Sequence, residues 1–310
     1  MLEKLLELGE RLEALGYRFT TVSPSAQRLV NARPGAEQAR GLRDVFGWNR
    51  AFQPELLGHE LFELTVEAGG CAPISGTNLW RPTLRFSTLG DLLFVHSSFP
   101  TVEQDSVFFG PDSVRFSAAI ARHAPAARRI VDVGAGTGVG GIVLGMERRG
   151  SSIVLADVNP RALRFAEVNA QWAGVPVETV ESDVLAAVSG EFDLVIANPP
   201  FLRDRAARAY RHGGGRYGEG LAIRIATESL AALARNRTGG TLLLYSGAAI
   251  VDGEDQLLSA LRPVLDAARV HFSYEELDPD IFSDELAEPA YGDVERIAAV
   301  FLQVRVAGTG

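Results

Sequence analysis

The stretch RIVDVGAGTGVGGIVLGM (129–146) decides the fold. It opens as a short apolar strand, turns through GAGTGVGG (134–141), and continues as an apolar helix. Glycines at such a turn let the backbone pass close to a ligand and let helix and strand pack tightly. Gly136, Gly138 and Gly141 satisfy G-x-G-x-x-G, and Asp132 extends the pattern to D-x-G-x-G-x-G. Working outward, hydrophobic periodicity predicts strands at 129–134, 152–157, 177–181, 192–197, 241–246, 269–275 and 296–306. Helices are predicted between them at 139–149, 160–173, 219–236 and 254–267, with one more from Ser113 to His123 ahead of the first strand. The helix at 160–173 carries clear punctuation: Asn159 as N-cap, Pro160 at its first position, Gly174 just beyond its end. Strand–helix alternation implies an α/β fold with a mostly parallel sheet covered on both faces. Only the loop 277–294 separates the last two strands, so the final strand is expected to run antiparallel.

The first third reads differently. Leu2 to Leu15 and PELLGHELFELTVEAGG (54–70) show helical spacing, separated by turn-rich pieces at 23–26 and 32–37. TLRFSTLGDLLFVHSS (83–98) contains two apolar-alternating runs around Leu89-Gly90-Asp91, a hairpin signal. These features suggest a smaller α+β domain over 1–105, winged-helix-like or a plain cap, followed by a second domain over 106–310.

The chain has 310 residues, 46% hydrophobic and 22% charged, with 30 basic against 39 acidic side chains and a net charge of -9. That balance disfavours broad nucleic-acid binding, and residues 1–110, with 10 basic and 13 acidic side chains, form no basic platform. Lys4 is the only lysine, which excludes a Walker phosphate loop and argues against Schiff-base chemistry. Cys71 stands alone, so no internal disulfide or cysteine-rich metal centre can form. His59 lacks the second histidine of a zinc-protease motif, and no metal site is expected. The start is an amphipathic helix rather than a signal peptide, and no apolar run is of membrane-spanning length; a cytoplasmic protein without membrane contact is expected.

Two further positions point to a nucleoside. Asp157 ends the second strand of the alternating region, where its two oxygens match the hydroxyls of a ribose. Asp183 ends the third strand, where ligand contact and helix capping are both open readings. The fourth strand runs directly into Asn198-Pro199-Pro200-Phe201. Paired prolines end the ladder and stiffen the exit, and at this edge of the sheet the turn faces the same crevice as the glycine loop.

Taken in order, Asp132, Gly134, Gly136, Gly138, Asp157, Asp183 and the NPPF run resemble the class I S-adenosylmethionine-dependent methyltransferases over roughly residues 107–306. Within that family the tetrapeptide resembles the (N/D)PP(Y/F) signature of enzymes that methylate planar nitrogen. The resemblance implies a Rossmann-like domain with a seven-stranded sheet and S-adenosyl-L-methionine as cofactor. It also implies that Asp132 lies near the cofactor's ammonium end, Asp183 bonds the adenine amine, and Val184 packs on the ring or donates its N–H. The chemistry suits these residues. An amide or arylamine nitrogen is a poor nucleophile until its two N–H bonds are accepted, here by the Asn198 side chain and the Pro199 carbonyl. Phe201 would then stack on the planar group.

Two neighbouring segments bear on the acceptor. FFGPDS (108–113) precedes the first helix of this region and lacks the Thr-Glu pair that glutamine methyltransferases carry. RDRAARAYRHGGGRYGEG (203–220) holds Arg203, Arg205, Arg208, Arg211 and Arg216, which reads equally as a lid for an anionic substrate or as a solvated loop. His212 in it reads as a surface residue. The favoured acceptor is a protein glutamine amide or a small-molecule amide or amine. A nucleobase amine is the alternative, and a nicotinamide-dependent oxidoreductase or a non-catalytic cofactor-binding module are readings of another class.

Overall fold

The computed structural model describes residues 2–204, 208 and 210–309. The first third contains α1 (Leu2–Ala14), α2 (Pro24–Asn31), α3 (Leu42–Phe46), α4 (His59–Glu67), β1 (Cys71–Pro73), β2 (Trp80–Pro82), β3 (Leu84–Leu89) and β4 (Leu92–Ser97). The alternating region follows with α5 (Pro111–His123), β5 (Arg129–Val133), α6 (Val139–Glu147), β6 (Ser152–Asp157), α7 (Pro160–Trp172), β7 (Val177–Glu181) and β8 (Leu194–Ala197). It ends with α8 (Gly220–Leu233), β9 (Gly240–Val251), β10 (Glu254–Asp255), α9 (Gln256–Ala268), β11 (His271–Asp278) and β12 (Arg296–Val306).

The main sheet has the order β11-β12-β9-β8-β5-β6-β7, with the short β10 paired to β9. Neighbours from β5 to β9 run parallel, and β12 is antiparallel to both β9 and β11. The final strand therefore inserts against the others, as its loop connection predicts. Alternate residues along each strand feed opposite faces. Ile130, Leu155 and Ile196 pack with Phe116, Ile142 and Ala166 of α5, α6 and α7. Val131, Val154 and Val195 pack with Ile225, Leu230 and Leu261 of α8 and α9. Two cores, one on each side, are why these strands read as continuous apolar runs.

Local chemistry sets the element ends. The Asn159 side chain accepts a hydrogen bond from the Arg161 N–H at 2.9 Å, Pro160 opens α7, and Gly174 follows at φ +65°. β9 continues to Val251, well beyond the expected 246, and pairs along its length with β12. Ser246 and Gly247 look like a strand end in sequence, yet both are buried within the ladder. β8 starts at Leu194 rather than 192, and β11 begins after Arg269, which caps α9 in the left-handed region.

In the first third, β3 and β4 form the predicted hairpin, turning at Gly90 with φ +58°. The sequence gives no signal for α2, α3 or the β1–β2 pair. This region shares its core with the rest: Leu8, Phe46 and Phe86 cluster with Ala162, Phe165 and Val168 of α7. Asn169 of α7 accepts from the Val95 N–H at 2.8 Å and donates to the carbonyls of Val95 at 3.2 Å and Thr137 at 3.0 Å. Among the described residues, no helix is long and apolar enough to cross a membrane.

Candidate active site

A cleft of about 240 Å³ opens over the carboxyl ends of β5, β6 and β8. Asp132, Gly134, Gly136, Asp157, Asp183, Val184, Asn198, Pro199 and Phe201 all line it, while Gly138 sits just behind the turn. Gly138 has φ +76°, and a Cβ there would lie 3.0 Å from Ala166, so the position combines a left-handed backbone with close packing on α7. Gly134 and Gly136 also have positive φ, and the space where a Cβ would project from either is open towards the cleft.

Asp132 is buried and accepts from the Gly141 N–H at 2.8 Å, which anchors the first turn of α6. Desolvation pushes its pKa up to about 7, opposed by that hydrogen bond. Asp157 is braced differently. Its Oδ2 accepts from the Gly136 N–H and its Oδ1 from the Asn159 N–H, each at 2.8 Å. Burial raises its pKa and these backbone donors lower it. Each oxygen keeps a lone pair beyond its backbone bond, the requirement for gripping a diol.

At the far end Asp183 is bound in both its oxygens by Arg224 of α8, at 2.8 and 2.9 Å. Val184 beside it is buried at φ +53°, and its N–H has no partner among the described residues.

Asn198 leaves β8 half-buried, and neither its side chain nor the Pro199 carbonyl is hydrogen-bonded among the described residues. Both residues line the cleft. Phe201 is 8% exposed and packs against Tyr245 and Phe282, so only part of its ring meets the cleft. Its seat is Gly247: a Cβ there would fall 2.3 Å from the Phe201 ring.

The two neighbouring segments, 108–113 and 203–220, contribute Phe108, Asp112, Ser113, Tyr210 and Arg211 to the lining. Tyr245 donates from its hydroxyl to Asp112 at 2.6 Å, and burial raises the pKa of that carboxyl. Gly110 is the N-cap of α5, and the Ser113 hydroxyl three residues on accepts from its N–H at 3.2 Å. Phe108 and Tyr210 stand nearly parallel at the mouth, 6.4 Å between ring centres. Pro24 and Thr101 bring the first third of the chain to the same opening. Pro24 and Thr101 escape a sequence reading because only the tertiary fold gathers segments so far apart.

The arginine loop is largely neutralised within the molecule. Arg208 pairs with Asp204, Arg211 with Asp204 and Glu285, and Arg216 with Asp293 at 2.7 Å. Arg203 donates to the Gly215 carbonyl at 2.6 Å. Arg205 lies outside the described residues. Arg208 and Tyr210 both bond the Thr101 carbonyl, which ties this segment to the first third.

Comparison with known proteins agrees with this geometry. Residues 104–211 match the methyltransferase small domain. A Methanocaldococcus jannaschii protein provisionally named an N5-glutamine methyltransferase is 30% identical over 48% of this chain and 77% of its own. A release factor glutamine methyltransferase of Deinococcus radiodurans is 36% identical over 37% of this chain and 44% of its own. A ribosomal RNA small subunit methyltransferase C of Chromohalobacter salexigens is 39% identical over 26% of this chain. The chain spans 44% and 24% of the length of the last two relatives. Among solved structures, Trm5b of Pyrococcus abyssi shares the fold, with a TM-score of 0.51 at 15% identity over 77% of this chain and 62% of that one. The chain belongs to the class I S-adenosylmethionine-dependent methyltransferase family, of the N-methyltransferase kind. That membership sets aside the nicotinamide reading of the glycine turn.

The cleft fits the family's cofactor. Asp157 keeps two lone pairs suited to a ribose, Val184 keeps an N–H without a partner among the described residues at the wall, and Asp132 supplies a carboxyl group beside the glycine turn.

Proposed function

We propose that this chain transfers a methyl group to a planar nitrogen, with the side-chain amide of a protein glutamine as acceptor. The observation that carries this reading is the pair of oxygens on Asn198 and Pro199, both without a hydrogen-bond partner among the described residues and both on the cleft wall. Polar groups left unmatched beside an apolar wall favour a ligand that donates to them. S-adenosylmethionine, when bound, supplies the electrophilic methyl carbon. Asn198 and Pro199 accept the two N–H bonds of the acceptor amide and so turn its lone pair along the cleft. The paired prolines hold both oxygens in a stiff exit that need not reorganise during transfer. Phe201, fixed by Tyr245 and Phe282, presents an apolar surface that excludes water. Asp157 would hold the ribose, Asp132 the ammonium end and Asp183 with Val184 the adenine, with Gly134, Gly136 and Gly138 shaping the turn between.

A second acceptor, the exocyclic amine of an RNA base, is favoured by one observation: the near-parallel Phe108 and Tyr210 rings at the mouth suit a flat heterocycle. Incubation of a cell extract with the enzyme and a methyl-labelled donor separates the two. Label removed by protease supports a protein glutamine, label removed by nuclease the base, and label sensitive to neither a small molecule. The proposal fails if the donor is never consumed while the protein is folded.

A further inference from the structure

The adenine end of the cleft is shaped by a residue outside every motif. Arg224, in the second turn of α8, places a planar fork on Asp183: Nη1 donates to Oδ1 at 2.8 Å and Nη2 to Oδ2 at 2.9 Å. Its Nε donates to Glu228 at 2.7 Å, so the guanidinium is gripped from two sides. The two side chains are 45% and 60% exposed, and ion pairs in that setting add little to stability. What a two-point fork does supply is fixed orientation.

A second observation concerns the turn that carries Asp183. Val184 is β-branched yet sits at φ +53°, a conformation such residues rarely adopt. Ser182 enforces it: its buried hydroxyl donates to the Val184 carbonyl at 3.0 Å and accepts from the Ala187 N–H at 3.0 Å. Strain of this kind persists where the surroundings over-determine the backbone, commonly at ligand clamps. The same turn leaves the Val184 N–H unpartnered among the described residues, at the cleft wall.

We propose that Arg224 is a positioning residue that makes the purine subsite select a 6-amino over a 6-oxo ring. A carboxylate offers about four lone-pair sites, and the fork takes one on each oxygen. The remaining pair nearest the cleft is held where a 6-amino group donates, beside a Val184 N–H that suits the ring N1 of adenine. A 6-oxo purine inverts both partners, setting an oxygen against the carboxylate and an N–H against an N–H. Without Arg224, Asp183 is free to turn into solvent and that rejection is lost.

The inference rests on the methyltransferase reading and is tested by binding, not turnover. Calorimetry compares S-adenosylhomocysteine with S-inosylhomocysteine on the wild-type protein, Arg224→Met and Arg224→Lys. Arg224→Met should lose about tenfold for the adenosyl ligand, the worth of one charge-assisted hydrogen bond, and less than about twofold for the inosyl one. Arg224→Lys should recover only part of the loss, because an ammonium cannot fork. The melting temperature without ligand should stay within about 2 °C of wild type, since an exposed pair contributes little to folding. Unchanged or tighter adenosyl binding in Arg224→Met, or an equal loss for both ligands, overturns the role of Arg224 alone. A wild-type protein that binds neither ligand overturns the methyltransferase reading as well.

Discussion

The two ends of the cleft are built in opposite ways. The end proposed for the cofactor draws Asp132, the glycine turn, Asp157 and Asp183–Val184 from successive strand ends within one stretch of chain. The end proposed for the acceptor gathers Pro24, Thr101, Phe108, Asn198–Phe201, Tyr210 and Phe282 from segments scattered over the molecule. The first follows from the sheet itself, because parallel strands present their carboxyl ends side by side. The second depends on loops and on the first third of the chain. A cofactor site of this kind is common to many enzymes, whereas the acceptor site belongs to this chain.

If the ends are separable, substitutions should divide cleanly between them. The largest effect is expected at Asn198→Ala: turnover should fall about 10²–10³-fold, as when one preorganised transition-state contact is removed, with S-adenosylhomocysteine affinity within about twofold of wild type. A matching fall in affinity, read by calorimetry, would merge the two ends. Asp157→Ala should do the reverse, weakening the same ligand by about 1–3 kcal/mol through lost charge-assisted hydrogen bonds. Gly247→Ala forces Phe201 from its seat and should cost about 1–3 kcal/mol by overpacking, read by urea unfolding, while ligand affinity holds.

Asp132 gives a pH-dependent test of the cofactor end. Its carboxyl titrates near 7 when folded, against an ordinary 3.8. The folded state therefore binds the extra proton between these values, and stability from this group is lost as pH rises through that window. Asp132→Asn does not titrate, so its stability relative to wild type should improve by about 4 kcal/mol between pH 4 and about 8. Urea unfolding across that range checks it, and a constant difference would contradict the raised pKa. The smallest effect is expected at the mouth. Tyr210→Ala should raise the acceptor KM by about 0.5–1.5 kcal/mol, the worth of an aromatic pairing, without changing cofactor affinity.

Legibility in the sequence follows the same divide. Asn159, Pro160 and Gly174 fix α7 by local chemistry, so its bounds are readable to within a residue. β9 is misjudged because Ser246 and Gly247 resemble a break, and only the Phe201 ring across the sheet explains the glycine. The arginines after NPPF read equally as a lid for anions or a solvated loop, because their partners Glu285 and Asp293 come from a distant loop that no local pattern reveals. The α2, α3 and β1–β2 elements are short and take their stability from the shared core, not from their own periodicity.

One side chain has a mechanical consequence. Asn169 fastens the β4 backbone and the Thr137 carbonyl of the glycine turn to the same amide. Any hinge that swung the front third away would drag the glycine turn out of shape with it.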